Sequence, residues 1–162
     1  MRLDQLQTHG DSRGQFVELF RAAAYPEPFV QSNHSRSIAG VLRGLHYHAH
    51  QADLWYVVSG RIQVGLADLR SPSDEPSTAV VELDGDLPAT LYVPEGVAHG
   101  FLALTDVDLI YLVTNTYDAS DENAIIWDDP MLAIPWKTHS PILSERDNSN
   151  PRLDWNLVPR FS

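Results

Sequence analysis

The sequence predicts an all-β fold, and three observations carry that reading. Short apolar-rich runs alternate with turn clusters along the whole chain, at the fairly regular spacing of a sandwich or barrel. In Arg61-Ile-Gln-Val-Gly-Leu-Ala-Asp-Leu69 the even positions, Ile62, Val64 and Leu66, fall on one face of a strand. Eleven prolines and nine glycines in 162 residues are too many for a helical bundle and too few for a disordered chain.

In chain order, the candidate strands run from Phe16 to Phe20, Phe29 to His34, Gly40 to Tyr47, Leu54 to Ser59, Arg61 to Leu69, Ala79 to Leu83, Ala89 to Val93, and Leu109 to Thr116. Ser59-Gly-Arg61, Ser71-Pro-Ser-Asp-Glu-Pro76, Asp84-Gly-Asp86 and Pro94-Glu-Gly96 have the turn chemistry that separates them. Asp118 to Asn123 reads as one helical turn, and the segment after Lys137 as a C-terminal cap with a short helix. No repeat, low-complexity tract or long linker divides the chain, so residues 1–162 read as a single domain.

Composition narrows the function. With no cysteine, disulfide scaffolds, thiolate catalysis and Cys-ligated metal are excluded. Twenty-two acidic against eleven basic side chains give a net charge of −11, which repels a nucleic-acid backbone. Ten of the eleven cations are arginine, whose planar fork can still hold one anion in a local pocket; Lys137 is the only lysine. The polar start Met1-Arg-Leu-Asp-Gln-Leu-Gln has no apolar stretch of the signal-peptide kind, and no window approaches 18 apolar residues. The expectation is a cytoplasmic protein with no membrane partner.

Two segments concentrate chemistry: Gly40-Val-Leu-Arg-Gly-Leu-His46-Tyr-His48-Ala-His50-Gln-Ala-Asp53, and Pro94-Glu-Gly-Val-Ala-His99-Gly-Phe101. His46 and His48 are two apart, so on a strand they face one cavity. His99 follows a Pro-x-Gly turn that would start a strand feeding the same cavity. One histidine in a strand is usually just hydrogen-bonded. Three beside an acid point to a site. His9, His34, His50 and His139 are read as ordinary polar residues.

At this point the sequence resembles a known family. Asn33-His-Ser-Arg-Ser-Ile-Ala-Gly-Val-Leu-Arg43-Gly-Leu-His46, Asp68-Leu-Arg70-Ser-Pro, Pro94-Glu-Gly-Val-Ala-His99-Gly-Phe, Trp127-Asp-Asp-Pro130 and Leu143-Ser-Glu-Arg-Asp147 are similar, in order, to signatures of the dTDP-4-dehydrorhamnose 3,5-epimerases. Asp11-Ser-Arg13-Gly-Gln-Phe16-Val-Glu18 also matches that pattern. The resemblance implies a cupin double-stranded β-helix (jelly roll) with a short C-terminal helical cap. It also implies a homodimer with exchanged N-terminal strands, and a dTDP-linked 4-keto-6-deoxy hexose epimerised at C3, C5 or both with no cofactor. His46 matches the base, Asp147 the carboxylate that orients and charges it, and Tyr111 the opposite-face acid, with Tyr117 a second tyrosine of the pattern. Arg43, with Gln31 and Asn33 nearby, matches a pyrophosphate ligand, and Arg146 a further phosphate contact. Arg13, Phe16 and Glu18 match residues that reach a partner subunit's nucleotide site, and His99 a substrate contact.

The chain departs from the family at two places. His48 stands where a glutamine-like residue is usual, and Asp53 where a lysine lies near the substrate's keto oxygen. Like charges ~4 Å apart repel by about 4 kcal/mol at an effective dielectric near 20, so an ionised Asp53 would oppose an enolate. Arg61 is the candidate replacement cation. The same departures create a second pattern. His46-x-His48, four residues and Asp53, then Pro94-x-Gly96-x-x-His99, have the spacing of general cupin metal motifs. Three imidazoles and a carboxylate suit a divalent transition metal. Three readings follow: an epimerase using His46, Asp147 and Tyr111; a metal-dependent cupin enzyme using His46, His48, Asp53 and His99; or a non-catalytic sugar-nucleotide binder. His46 cannot be base and metal ligand in the same state.

Overall fold

The structure is a computed structural model that describes residues 1–72 and 76–161; residues 73–75, the middle of the expected Ser71–Pro76 turn cluster, lie outside it, as does residue 162. Two five-stranded antiparallel sheets face each other. The first has the order β1 (Arg2–Gln5), β9 (Ala89–Val93), β6 (Asp53–Ser59), β11 (Val107–Val113), β4 (Gln31–Ser37). The second has the order β12 (Asn123–Ala124), β5 (Leu42–Tyr47), β10 (Val97–Ala103), β7 (Arg61–Asp68), β8 (Thr78–Asp84). From β4 onward the chain changes sheet at every connection except β7 to β8, which is the winding of a jelly roll. Gly60 turns the corner from β6 to β7 at φ +81°, where a Cβ would lie 2.0 Å from the Asp106 carbonyl oxygen.

The apolar runs become two cores. Between the sheets, Trp55 and Val57 of β6, Ile62, Val64 and Leu66 of β7, Leu91 of β9, Phe101 of β10 and Leu109 of β11 pack together. Outside the second sheet, Leu42, Leu45, Ala67, Ala98 and Leu102 pack against Ile125, Leu132, Ile134 and Trp136 of the C-terminal segment. Hence β7 is buried on both faces from Ile62 to Ala67, and β10 over its whole length. Gly65 admits this cover: a Cβ there would stand 2.6 Å from the Trp136 ring.

Several elements differ from expectation. β1, β2 (Thr8–Asp11) and β10 join the strands, and β2 pairs with β3 (Gly14–Val17) in a separate hairpin. The strand expected from Phe16 to Phe20 ends at Val17, since Phe20 turns away to stack on Tyr25 and meet Phe29 edge-on. The strand expected from Phe29 begins at Gln31 and runs to Ser37, while the one expected to reach Thr116 ends at Val113. Asp118 to Asn123 is not helical. The Asp118 carboxylate accepts from the Ser120 N–H, and the Asp121 carboxylate accepts the Ala49 and His50 N–H groups, so the segment is held as a turn leading into β12. The C-terminal helix is α1 (Glu145–Asn148), one turn capped by Ser144.

Candidate active site

Between the sheets, beyond the apolar core, opens a cleft of about 310 Å³ floored by Trp55, Phe101 and Leu109. This is the low end of small-ligand pocket sizes. His46, His48, Asp53, His99, Tyr111, Tyr117, Arg43 and Arg146 all line it. β5 and β10 of the second sheet bring His46 and His99 opposite one another in register. Their strands approach closely because Gly44 faces Gly100: a Cβ on Gly44, at φ +117°, would meet the Gly100 Cα at 2.7 Å.

His46 donates its Nε2–H to Asp147 Oδ1 at 2.8 Å, while its ring stays partly open to the cleft. Asp147 is buried on α1 and doubly tied to the cap. The Asp147 N–H donates to Ser144 Oγ, and the Ser144 hydroxyl donates to Asp147 Oδ2, each at 3.0 Å. Burial pushes the Asp147 pKa up. The His46 ring, the Ser144 hydroxyl and the Gly44 N–H outweigh it and hold the carboxyl below its ordinary value. An ionised carboxylate on Nε2 leaves Nδ1 as the lone-pair nitrogen, and that atom has no partner among the described residues.

Tyr111 stands on β11, in the opposite sheet. Burial, then the negative charges of Asp53 and Glu122, push its pKa up against a smaller pull from Arg43, so its hydroxyl keeps its proton well into the alkaline range. A group able to take a proton and a group able to give one therefore face the cleft from different sheets.

His48, Asp53 and His99 form a separate, buried group. His48 donates Nδ1–H to the Asp121 carbonyl at 3.0 Å, and His99 donates Nδ1–H to the Val97 carbonyl at 2.9 Å. The Asp53 carboxylate accepts from Gln51 Nε2 at 3.0 Å and Trp55 Nε1 at 3.1 Å. His99 Nε2 stands 3.7 Å from Asp53 Oδ2. Burial, reinforced by the neighbouring His48 and His46 rings, pushes the His99 pKa down to about 4 despite the Asp53 charge. Of the four residues expected as metal ligands, His48, Asp53 and His99 place a ligand atom within 4.8 Å of one another, and His46 stands outside that group.

Arg43 donates to Ser37 Oγ at 3.0 Å and the Arg36 carbonyl at 3.2 Å, and Arg146 to Glu122 at 2.6 Å. Gln31 and Asn33 share the inward face of β4 with the cleft-lining Ser35 and bond each other, though neither lines the cleft. Arg13 and Phe16 lie exposed on the β2–β3 hairpin and Glu18 just past it; none reaches this chain's own cleft. Arg61 does not replace the expected cation. It starts β7, beyond the end of the strand that Asp53 begins, and seven strand residues carry the chain about 20 Å. Gln51, Glu122 and Asp121 were not singled out from the sequence. Asp121 and Glu122 fall in the segment read as helical, while Ser144-x-x-Asp147 carried a readable capping signal.

The comparisons with known proteins show the chain's family. The family model for dTDP-4-dehydrorhamnose 3,5-epimerase matches residues 2–154. The spore coat polysaccharide biosynthesis protein SpsL of Bacillus subtilis is 40% identical over 144 residues, covering 85% of this chain and 95% of that protein. The dTDP-4-dehydrorhamnose 3,5-epimerase of Shigella flexneri is 38% identical over 149 residues, covering 85% of this chain and 82% of that one. Among solved structures, the dTDP-6-deoxy-D-glucose-3,5-epimerase of Legionella pneumophila Philadelphia 1, in complex with dTDP-4-keto-L-rhamnose, superposes with a TM-score of 0.89 at 34% identity, covering 99% of this chain and 93% of that one.

Proposed function

Because the chain belongs to the dTDP-4-dehydrorhamnose 3,5-epimerase family, we propose that it epimerises C3, C5 or both of a dTDP-linked 4-keto-6-deoxy hexose, with His46 as base, Asp147 as its partner and Tyr111 as acid. A C–H bond beside a ketone is acidic because the carbanion spreads into an enolate. His46 Nδ1 takes that proton, and the imidazolium so formed is stabilised by Asp147 on the other ring nitrogen. Tyr111 then gives a proton to the same carbon from the other side, which inverts it. The electrons return to the carbon they left, so this chemistry needs no redox cofactor. Arg43 and Arg146, at the cleft, suit the diphosphate. Arg13, Phe16 and Glu18, exposed and outside their own chain's cleft, suit a second copy's nucleotide in a homodimer. A doubly charged substrate that does not cross bilayers unaided fits a cytoplasmic enzyme, and no helix among the described residues is long and apolar enough to cross a membrane.

The observation that carries this reading is the 2.8 Å bond from His46 Nε2 to Asp147 on one wall, with Tyr111 on the opposite sheet. The test is proton exchange. Incubated in D2O with dTDP-4-keto-6-deoxy-glucose, the protein should place deuterium at C3, C5 or both, read by NMR. Tight binding of the nucleotide sugar with no exchange, with or without added metal, would make the protein a binding module instead.

A further inference from the structure

We propose that His48, Asp53 and His99 form a site for one first-row divalent cation, opening on the cleft beside His46. Each offers one ligand atom, and the three atoms lie within 4.8 Å of one another. A cation with bonds of about 2.1 Å holds its ligand atoms about 3.0–3.4 Å apart. The 3.7 Å from His99 Nε2 to Asp53 Oδ2 is therefore within a few tenths of an ångström of that separation.

The hydrogen bonds around the group decide what these atoms are. A carbonyl oxygen only accepts, so His48 and His99 each carry their hydrogen on Nδ1, toward Asp121 and Val97. Each ring is left with a bare lone pair on Nε2. The third member is a carboxylate oriented by Gln51 and Trp55. Two imidazoles and a carboxylate thus share one buried place, with ligand atoms within 4.8 Å of one another, and among the described residues no hydrogen bond joins the three side chains. Such a group wants a cation, and each histidine already has the outer hydrogen bond that fixes a metal-binding tautomer.

The rival arrangement is an ion pair between a charged His99 and Asp53. A charge-assisted hydrogen bond closes to about 2.7–2.9 Å, which the 3.7 Å separation does not reach. Two imidazoles and one carboxylate leave further coordination positions, and all three residues line the cleft. A cation held there would act as a Lewis acid toward a ketone oxygen. That use of the site rests on the epimerase reading; the site itself does not.

The experiment is Co(II) binding to chelator-stripped protein, followed by visible absorption and titration calorimetry, with thermal unfolding as an independent readout. The expected result is one Co(II) per chain and a raised Tm. Asp53→Asn and His48→Gln should each weaken binding by more than about 100-fold, since losing an outer hydrogen bond alone costs about 10- to 100-fold. Asp147→Asn, outside the group, should bind as wild type. No stoichiometric binding by folded wild-type protein overturns the site, as does equal binding by Asp53→Asn and His48→Gln, which would mark an adventitious ion. Deuterium exchange on the same samples keeps the two readings apart. Exchange by protein that binds no Co(II) overturns the site alone. Co(II) binding without exchange supports the site and counts against the epimerase.

Discussion

The cleft holds two histidine groups made of the same residue types. At the end of β5, His46 presents Nε2 to a carboxylate at 2.8 Å and its ring remains partly open. Deeper in, His48 and His99 present Nδ1 to backbone carbonyls, and His99 looks across 3.7 Å at Asp53 without bonding it. A carboxylate partner stabilises an imidazolium when one forms, whereas a carbonyl partner fixes a tautomer without neutralising a charge. Deep burial adds to the difference by disfavouring charge on His99. The first arrangement suits proton transfer, and the second suits ligation.

The largest effect that could break this comparison is at Asp147. Asp147→Asn keeps the shape near His46 but removes the charge that supports the imidazolium, and should lower the rate of deuterium incorporation by about 10²- to 10⁴-fold, the range of general base catalysis. A near-normal rate would place the base elsewhere. Tyr111→Phe should separate two steps. Inverted product should fall about 100-fold, while proton removal at His46, seen as wash-out from substrate deuterated beside the ketone, falls much less. Equal losses in both would mean that Tyr111 is needed before the proton leaves.

The smallest effect is on stability. The Asp147 pKa is lower folded than unfolded, so the stability it contributes is present above the unfolded value of about 3.8. That contribution is lost as pH falls through the folded value. Below pH 4, Tm should therefore drop more steeply for wild type than for Asp147→Asn. Parallel curves would show that the His46 contact contributes nothing to the linkage.

The sequence made most of the frame legible, because frame strands bury apolar side chains. Ile62, Val64 and Leu66 revealed β7 by parity, and all three are in the core between the sheets. β1 and β2 were invisible because Arg-Leu-Asp-Gln and Thr-His-Gly-Asp have little to bury and stay mostly exposed. β10 was read only as the place where a strand would start. Its His99 and Gly100 interrupt an apolar run whose both faces prove to be covered. Parity also put His46 and His48 toward one cavity, and both line it. What parity could not supply is the partner of each ring. Asp147 is 101 residues from His46 and the Asp121 carbonyl 73 from His48, and such pairings exist only once the C-terminal segment has folded back over the second sheet. For the same reason spacing grouped His46 with the ligands, although only three of the four residues converge.

The most direct measurement is the tautomer of each ring, read from long-range ¹⁵N–¹H spectra of ¹⁵N-histidine-labelled, metal-free protein at neutral pH. The expected result is a hydrogen on Nε2 of His46, and on Nδ1 of His48 and His99. A hydrogen on Nδ1 of His46 would remove the lone pair proposed to take the substrate proton, and would contradict the division of the cleft into a base and a ligand group.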